Sequence, residues 1–221
     1  MKRKNNTKRN VIILACACLG IIIGAAYMFF FSALLVGNDT KYVYIDNDDT
    51  IDSVYTKLSE FSSKGTQMTG FKMLVNNSKY ADNIRTGRYG VRPGEGSFVV
   101  FRHLKNGLQT PVNLVVPSVR TVDRLAAEFS KKLMLDSATI YHALADEATC
   151  QKYGYDTATI AAIFIPNTYD IYWNVSTEKL LDRMHKECKR FWNAERKEKA
   201  QAMKLSPVEV STLASIIDEE T

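Results

Sequence analysis

A long stretch without charged residues near the N terminus most constrains what this chain can fold into. No Asp, Glu, Lys or Arg occurs between Arg9 and Asp39, and residues 11–36 read VIILACACLGIIIGAAYMFFFSALLV. As an α-helix this segment would measure about 39 Å, which is enough to cross the roughly 30 Å hydrocarbon core of a bilayer with some tilt. The sequence therefore predicts a transmembrane helix over residues 11–36.

A signal peptide and a lipoprotein site both fit this segment less well than an anchor does. A cleavable signal peptide has an apolar region of about 7–15 residues, which is shorter than this one. A lipoprotein-type site at Cys16 would leave only residues 11–15 as the apolar region. We therefore expect a retained anchor.

The charges on either side of the anchor predict its orientation. Five cations and no acid lie in residues 1–10, whereas Asp39 follows the span. Because positively charged flanks stay inside, we expect a basic cytoplasmic tail (residues 1–10), a single-pass helix in the inner (cell) membrane, and residues 39–221 outside the cytoplasm. The cations are Lys2, Arg3, Lys4, Lys8 and Arg9.

The position of these cations also argues against a nucleic-acid partner. The chain has a net charge of +5, but the excess is confined to the tail, and the rest of the chain is balanced. A DNA or RNA binder needs its cations on the folded part, where they displace counterions from phosphates. At 46% hydrophobic residues, the chain can still bury a substantial core.

The sequence offers no metal-binding spacing and suggests no cofactor. Cys150 and Cys188 are the only cysteines outside the span, and 37 residues separate them. They could form a disulfide, but Cys188 follows Leu181 and Met184 at helical spacing, which favours a buried thiol. A calcium loop that began at Asp46 would need glycine at its sixth position and glutamate at its twelfth, which Ile51 and Lys57 occupy. Residues 46–50 (DNDDT) therefore predict a turn and a helix cap.

The part beyond the anchor predicts an α+β fold in two regions. Residues 40–116 contain a strand, helices and a second strand, which together suggest a small α+β domain. Residues 117–221 are mainly helical, although residues 164–173 (FIPNTYDIYW) contain Pro166, which prevents a continuous helix. The glycine-dense residues 87–97 predict a strand, a turn and a helix cap. The other predicted strands are residues 41–46 and 112–116, and the predicted helices are residues 50–61, 69–75, 97–104, 136–145, and those beginning near Thr121, Ser176 and Ser206.

The last predicted helix has the strongest local signature. Ser206 and Glu209 fit a capping box, and Pro207 occupies the first helical position. Helical periodicity assigns four residues to a buried stripe and places Glu219 opposite it, in water. The predicted stripe consists of Val210, Leu213, Ala214 and Ile217.

Glu220 lies at the edge of that predicted stripe. A carboxyl group that loses solvent there would have a raised pKa, and it could then hold a proton near neutral pH as a general acid. The alternative is that Glu220 simply solvates the boundary of the stripe, as most glutamates at helix edges do. Periodicity alone leaves both interpretations open.

Several segments in order resemble one protein family. Residues 214–221 (ASIIDEET) are similar to the A-S-I-[IV]-E-K-E-T segment of the endolytic murein transglycosylases (MltG, or YceG-like), and residues 164–169 (FIPNTY) to their F-x-P-D-T-[YW] segment. Residues 87–89 with Gly96 and Ser97 resemble a further G-x-Y segment. The chain departs from the family at Asn167, at Asp218 and Glu219, and at residues 116–119 (VPSV), where many relatives have a Pro-Glu-Gly turn.

This resemblance implies a fold, a reaction and a catalytic residue. It implies a LysM-like domain over residues 40–116, followed by the N-terminal, mainly helical part of a catalytic domain over residues 117–221. It assigns Glu220 as the single catalytic acid, which would cleave bonds between N-acetylmuramic acid and N-acetylglucosamine inside glycan strands and leave 1,6-anhydro ends. The implied partners are peptidoglycan strands and cell-wall synthesis enzymes, and no cofactor or metal is implied.

Family members continue past the position of Thr221, so we expect the 221-residue chain alone to have no measurable activity. Two alternatives to the transglycosylase remain open. The first alternative is a non-enzymatic, membrane-anchored module in which residues 40–116 bind peptidoglycan. The second is an assembly partner that contacts another protein through residues 169–173.

Overall fold

The computed structural model describes residues 2–35, 37–62, 65–118 and 121–220, with side chains from residue 9 to residue 217 within these ranges. The described residues are α+β and mostly helical, and they form two compact units, Met1–Thr110 and Pro111–Thr221. We call these the N-terminal and C-terminal units. The boundary at residue 110 differs from the predicted one at residue 116 because the strand at residues 112–116 pairs within the C-terminal unit.

The N-terminal unit contains a long helix, a two-stranded sheet and three shorter helices. Its elements are α1 (Lys2–Phe30), β1 (Lys41–Ile45), α2 (Ile51–Ser59), α3 (Gly65–Asn76), β2 (Gly87–Val91) and α4 (Ser97–Asn106). Strands β1 and β2 are antiparallel, with Val43 opposite Tyr89. Alternate strand residues are buried beneath the helices, as expected for a sheet with one covered face.

Helix α1 confirms an apolar helix long enough to cross a membrane, but it ends earlier than predicted. The membrane-length part is Arg9–Phe30. The prediction that the helix extends to residue 36 is wrong for the described residues 31–35, where the chain leaves the helix and Leu34 and Leu35 enter the core of the N-terminal unit. Hydropathy alone does not distinguish an apolar side chain in a membrane span from one in a protein core.

Capping groups fix the start of α2 as the sequence predicts. The Thr50 side chain accepts a hydrogen bond from the Ser53 backbone N–H, and Asp49 pairs with Lys57 at 2.5 Å. Burial opposes ionisation of Asp49, but hydrogen bonds from Lys57 and Ser53 outweigh it and lower the pKa of this carboxyl to about 2. The acidic segment thus caps a helix and makes a half-buried ion pair.

The C-terminal unit packs helices around a second two-stranded sheet. Its elements are β3 (Val112–Val116), α5 (Val122–Ser130), α6 (Ser137–Ala145), α7 (Glu147–Lys152), a 3-10 turn (Ile160–Ile163), β4 (Asn167–Ile171), α8 (Thr177–Phe191), α9 (Ala194–Ala202) and α10 (Pro207–Glu220). Strands β3 and β4 are antiparallel, with Leu114 opposite Tyr169. The core of this unit lies between the sheet and helices α5, α6 and α8.

The two cysteines of this unit are free and buried, which confirms the thiol interpretation. The Cys150 Sγ donates to the Leu144 carbonyl at 3.3 Å, and the Cys188 Sγ lies 3.6 Å from the Tyr155 hydroxyl. Burial raises the pKa of both thiols, so they behave as small apolar core groups.

Candidate functional site

The C-terminal unit contains a cavity of about 730 Å³ beside α10. Its wall includes α10, α9, the start of α5, the 3-10 turn and two loops, one at residues 164–166 and one at Pro117 and Ser118. This volume lies within the range of about 300–1,000 Å³ that is typical of ligand sites. We treat this cavity as the candidate functional site.

Helix α10 forms one wall because its start is fixed by the predicted capping box. The Ser206 backbone N–H donates to Glu209 at 2.7 Å, and the Glu209 backbone N–H donates to the Ser206 hydroxyl at 3.3 Å. Hydrogen bonding of its carboxylate to the Ser206 backbone N–H and to the Ser206 side chain lowers the pKa of Glu209. Residues that line the cavity from this helix include Ser211, Ser215 and Ile216.

The predicted buried stripe of α10 is wrong for the described residues. Val210 is half-buried, but Leu213 and Ala214 are exposed, and Ile217 is 64% exposed. Periodicity identifies residues that share a face of a helix, but burial requires another element to cover that face. Helix α10 contacts α9 and the 3-10 turn, and of the four predicted residues Val210 packs against the core of the unit.

The backbone of α10 includes position 220, but the Glu220 side chain lies outside the described residues, as do those of Asp218 and Glu219. The raised pKa expected for Glu220 therefore stays a prediction. Ile216 is a cavity-lining residue, and position 220 follows it by four residues. Residues four apart lie on the same face of an α-helix.

The loop opposite α10 belongs to the aromatic segment that the sequence marks as unusual. Phe164, Ile165 and Pro166 line the cavity, and Asn167 begins β4 immediately after them. The Tyr169 hydroxyl donates to the Ile165 carbonyl at 2.8 Å and holds the loop against the strand. The segment therefore forms a strand of the core and one wall of the cavity.

Asn167 stands where the resembling family usually has aspartate. Its side-chain oxygen accepts a hydrogen bond from the Thr168 backbone N–H at 2.7 Å, and the residue is exposed at the start of β4. An aspartate oxygen could accept the same hydrogen bond, so the amide preserves this local contact.

Helix α9 contributes cations that sequence reasoning missed. Arg196 and Lys199 line the cavity. The Arg196 guanidinium donates to the Phe191 carbonyl at 2.8 Å and lies 4.2 Å from the centre of the Phe191 ring, so its position is fixed. Lys199 pairs with the exposed Glu195 at 2.6 Å. The spacing of Arg196 and Lys199 by three residues places both on one helix face and could have indicated the site.

The described lining residues include hydroxyl groups, cations and apolar side chains, but no carboxylate. Within the described part of the chain, no cluster of His, Cys, Asp or Glu side chains is suited to hold a metal ion. The cavity as described can bind and orient a ligand. Glu209, between the lining residues Val208 and Val210, is engaged in the helix cap, and the next carboxylates along α10 are in residues 218–220.

The third resembling segment lies in the N-terminal unit. Residues 87–89 form the first part of β2, where the Tyr89 hydroxyl donates to the Arg85 carbonyl at 2.9 Å. Gly96 is the N-cap of α4, and the buried Ser97 donates to the Gln67 carbonyl at 2.7 Å. These residues stabilise the α+β fold of that unit.

Comparisons with known proteins identify the family of the chain. None of the curated proteins compared with the chain matches it significantly. The solved structure of a YceG-like protein from Listeria monocytogenes is similar at 18% identity and a TM-score of 0.40; the match covers 77% of this chain and 61% of that one. The profile of the YceG-like family matches residues 43–221, which is most of the chain, and the chain therefore belongs to the YceG-like family.

Proposed function

We propose that the chain acts as a membrane-anchored endolytic murein transglycosylase with Glu220 as its catalytic residue. The observation that carries the proposal is the shared cavity. Residues 164–166 and residues 214–216 resemble the same family in sequence, lie some 50 residues apart in the chain, and line one cavity. Active sites are commonly assembled from segments that are distant in the chain. If Glu220 only solvated the edge of the apolar stripe of α10, no cavity beside that helix would be needed.

The proposed reaction uses one carboxylate twice. Glu220 gives its proton to the glycosidic oxygen as the bond from C1 of N-acetylmuramic acid breaks, and N-acetylglucosamine leaves with a hydroxyl group. The resulting carboxylate then accepts the proton of the 6-hydroxyl as that oxygen bonds to C1. The product is a 1,6-anhydro end, and Glu220 is again protonated. A retaining hydrolase would instead need a second carboxylate about 5 Å away.

The cavity supplies groups that suit this polymer. Hydroxyl groups of Ser118 and Ser211 can hydrogen-bond sugar hydroxyls, and apolar walls can cover the sugar rings. Arg196, which is held in place by Phe191, can bind the carboxylates of the peptide stems. These are binding functions, and they leave the chemistry to Glu220.

The anchor and its orientation complete the proposal. Helix α1 is long and apolar enough to span a membrane, and five cations precede its apolar part. We place residues 1–10 in the cytoplasm and residues 39–221 beyond the inner membrane, where peptidoglycan lies. Family resemblance suggests that cell-wall synthesis enzymes act nearby, and that the N-terminal unit is LysM-like.

A pair of substitutions tests the catalytic assignment in the full-length protein as its gene encodes it. We expect Glu220→Gln to lower the release of anhydro-muropeptides from purified murein at least a hundredfold, because the amide cannot donate and regain the proton. Sedimentation with insoluble murein should stay unchanged. Glu219→Gln makes the same change one position earlier, and it should keep its activity. Equal activities for the two variants would remove Glu220 from this role.

A second candidate function has its own support in the N-terminal unit. On the face of the sheet opposite the core, Tyr42 and Tyr44 are exposed, and the Arg88 guanidinium lies 3.5 Å from the centre of the Tyr42 ring. Flat, exposed aromatic rings on a rigid strand can stack on sugar rings. We propose that this face can bind glycan strands, with or without catalysis elsewhere in the chain.

Murein sedimentation with surface variants tests this candidate. We expect the double change Tyr42→Ala and Tyr44→Ala to weaken retention by murein at least tenfold if this face is the main binding site. Tyr141→Ala, which removes a similarly exposed tyrosine from α6, is the control. Unchanged retention of the double variant would exclude the face as a main binding site.

A further inference from the structure

The apolar helix α1 joins the N-terminal unit without a flexible linker. Immediately after α1, Leu34 and Leu35 are buried in the core of that unit. The Leu34 backbone N–H donates to the Glu95 carbonyl at 2.8 Å. Ala33 forms a β-bridge with Gly96. The chain thus passes directly from the helix into the packed core.

Two glycines allow the last turn of α1 to contact α3 and α4 closely. A Cβ atom at Gly70 would overlap the Phe29 carbonyl oxygen, and one at Gly96 would lie 2.5 Å from the Phe30 carbonyl oxygen. A polar contact adds to this packing, because the Gln67 side-chain amide donates to the Ser32 hydroxyl at 2.8 Å. These contacts fix the direction of α1 relative to the rest of the N-terminal unit.

The length of α1 places the membrane boundary at these contacts. Arg9 is the last charged residue before the apolar part, and residues 11–30 would extend about 30 Å as a helix. This length equals the thickness of the hydrocarbon core. The outer edge of the hydrocarbon therefore lies at the level of Phe29 and Phe30, where Gly70 and Gly96 contact the helix.

Exposed apolar side chains surround α1 at this level. The Phe98 ring on α4 is 5.9 Å from the Phe31 ring, and Phe98 is 39% exposed. Helix α3 also reaches the end of α1, since Gln67 contacts Ser32 and Gly70 approaches Phe29. Met73 is one turn from Gly70 on α3, and it is 48% exposed.

We infer that this membrane-facing rim, consisting of Tyr27, Phe31, Met73 and Phe98, lies in the outer interface of the bilayer and contacts phospholipid. The inference rests on the proposed anchoring and goes beyond it, because an anchor alone does not bring the folded unit to the lipid. Continuity with α1 selects lipid as the occupant, and aromatic side chains are enriched at this depth of a membrane. The N-terminal unit is then held at the membrane surface in one orientation.

Site-specific photocrosslinking in native membranes tests the inference. The photoreactive residue p-benzoylphenylalanine replaces Phe98 in one variant, Leu108 in a second and Ile22 in a third, each in the full-length protein. Leu108 is the matched control, because it is an exposed apolar residue just beyond the opposite end of α4. Ile22 reports on the span itself. Phospholipid adducts are measured by mass spectrometry.

We expect adducts at positions 98 and 22, with at least a fivefold lower yield at position 108. Adducts at position 22 without adducts at position 98 would overturn the inference while leaving the anchor in place. Similar yields at positions 98 and 108, or a crosslink from position 98 to a second copy of the chain, would also overturn it. An absence of adducts at position 22 would contradict the anchor as well.

Discussion

The two apolar helices α1 and α10 differ in which of their ends is packed. Helix α1 exposes apolar side chains on all sides until its last turns, which contact α3 and α4. Helix α10 is fixed at its start by the Ser206 cap, and its exposed aliphatic residues follow later.

This difference teaches that apolar composition alone does not assign a role to a helix. Leu34 and Ile217 both belong to apolar segments, yet Leu34 is fully buried and Ile217 is largely exposed. The contacts at each helix end therefore determine how much a smaller side chain lowers the stability of that region. Hydrogen–deuterium exchange, followed by mass spectrometry of the chain in detergent micelles, can measure the two regions separately.

The largest effect is expected for Leu34→Ala. Removing a fully buried leucine costs about 3 kcal/mol, because the cavity left behind adds to the lost burial. Exchange of the α3 and α4 amides should accelerate accordingly, while that of α5 and α8 should not change. Unchanged exchange in α3 and α4 would show that residues 31–35 are not part of this core.

A substitution in α3 tests the close approach of the helices. Gly70→Ala places a methyl group against the Phe29 carbonyl, so we expect α1 and α3 to separate at a cost of about 2 kcal/mol. Gly65→Ala is the same change in the same helix with no atom within 4 Å, and it should be neutral or slightly stabilising. The difference in α3 amide protection between these variants measures the contact; equal protection would argue against it.

Acid should weaken the N-terminal unit through Asp49. Because the folded-state pKa of Asp49 is lowered to about 2, its stabilisation is present above the unfolded-state pKa near 4 and is lost as pH falls from about 4 to about 2. The lost free energy is about 2 kcal/mol. Asp49→Asn should remove this part of the acid dependence in α2 exchange, whereas Asp52→Asn in the same helix should retain it. Parallel pH profiles for all three proteins would refute the prediction.

The smallest effect is expected for Ile217→Ala. A side chain that is 64% exposed contributes little burial, so opening of α10 should change by less than about 0.5 kcal/mol. A loss similar to that of Leu34→Ala would mean that the end of α10 is covered in solution and that its aliphatic stripe is buried there.

Local sequence signals predicted the parts of the fold that local interactions determine. The sequence predicted the caps of α2, α8 and α10, because a helix cap involves residues only three apart. It also predicted strands β1 and β3, because their burial alternates along the strand. Strand β4 was not predicted, because it follows Pro166 and is half polar. It is stabilised by pairing with β3, about 50 residues earlier in the chain.

The candidate site was only partly predictable for the same physical reason. The sequence pointed to α10 and to residues 164–169, but their common cavity depends on tertiary packing. Arg196 and Lys199 lie in a helix whose charged residues resemble an ordinary solvated surface. The end of α1 was missed because hydropathy is the same for a leucine in lipid and a leucine in a protein core.

The central claim is that one carboxylate on α10 cleaves glycan strands without water, and isotope labelling of the products tests it most directly. The full-length protein is incubated with purified murein in ¹⁸O-labelled water, and the new glycan ends are analysed by mass spectrometry. We predict 1,6-anhydro ends without ¹⁸O, because the 6-hydroxyl and not water attacks C1. Reducing ends that carry ¹⁸O would show hydrolysis and contradict the claim.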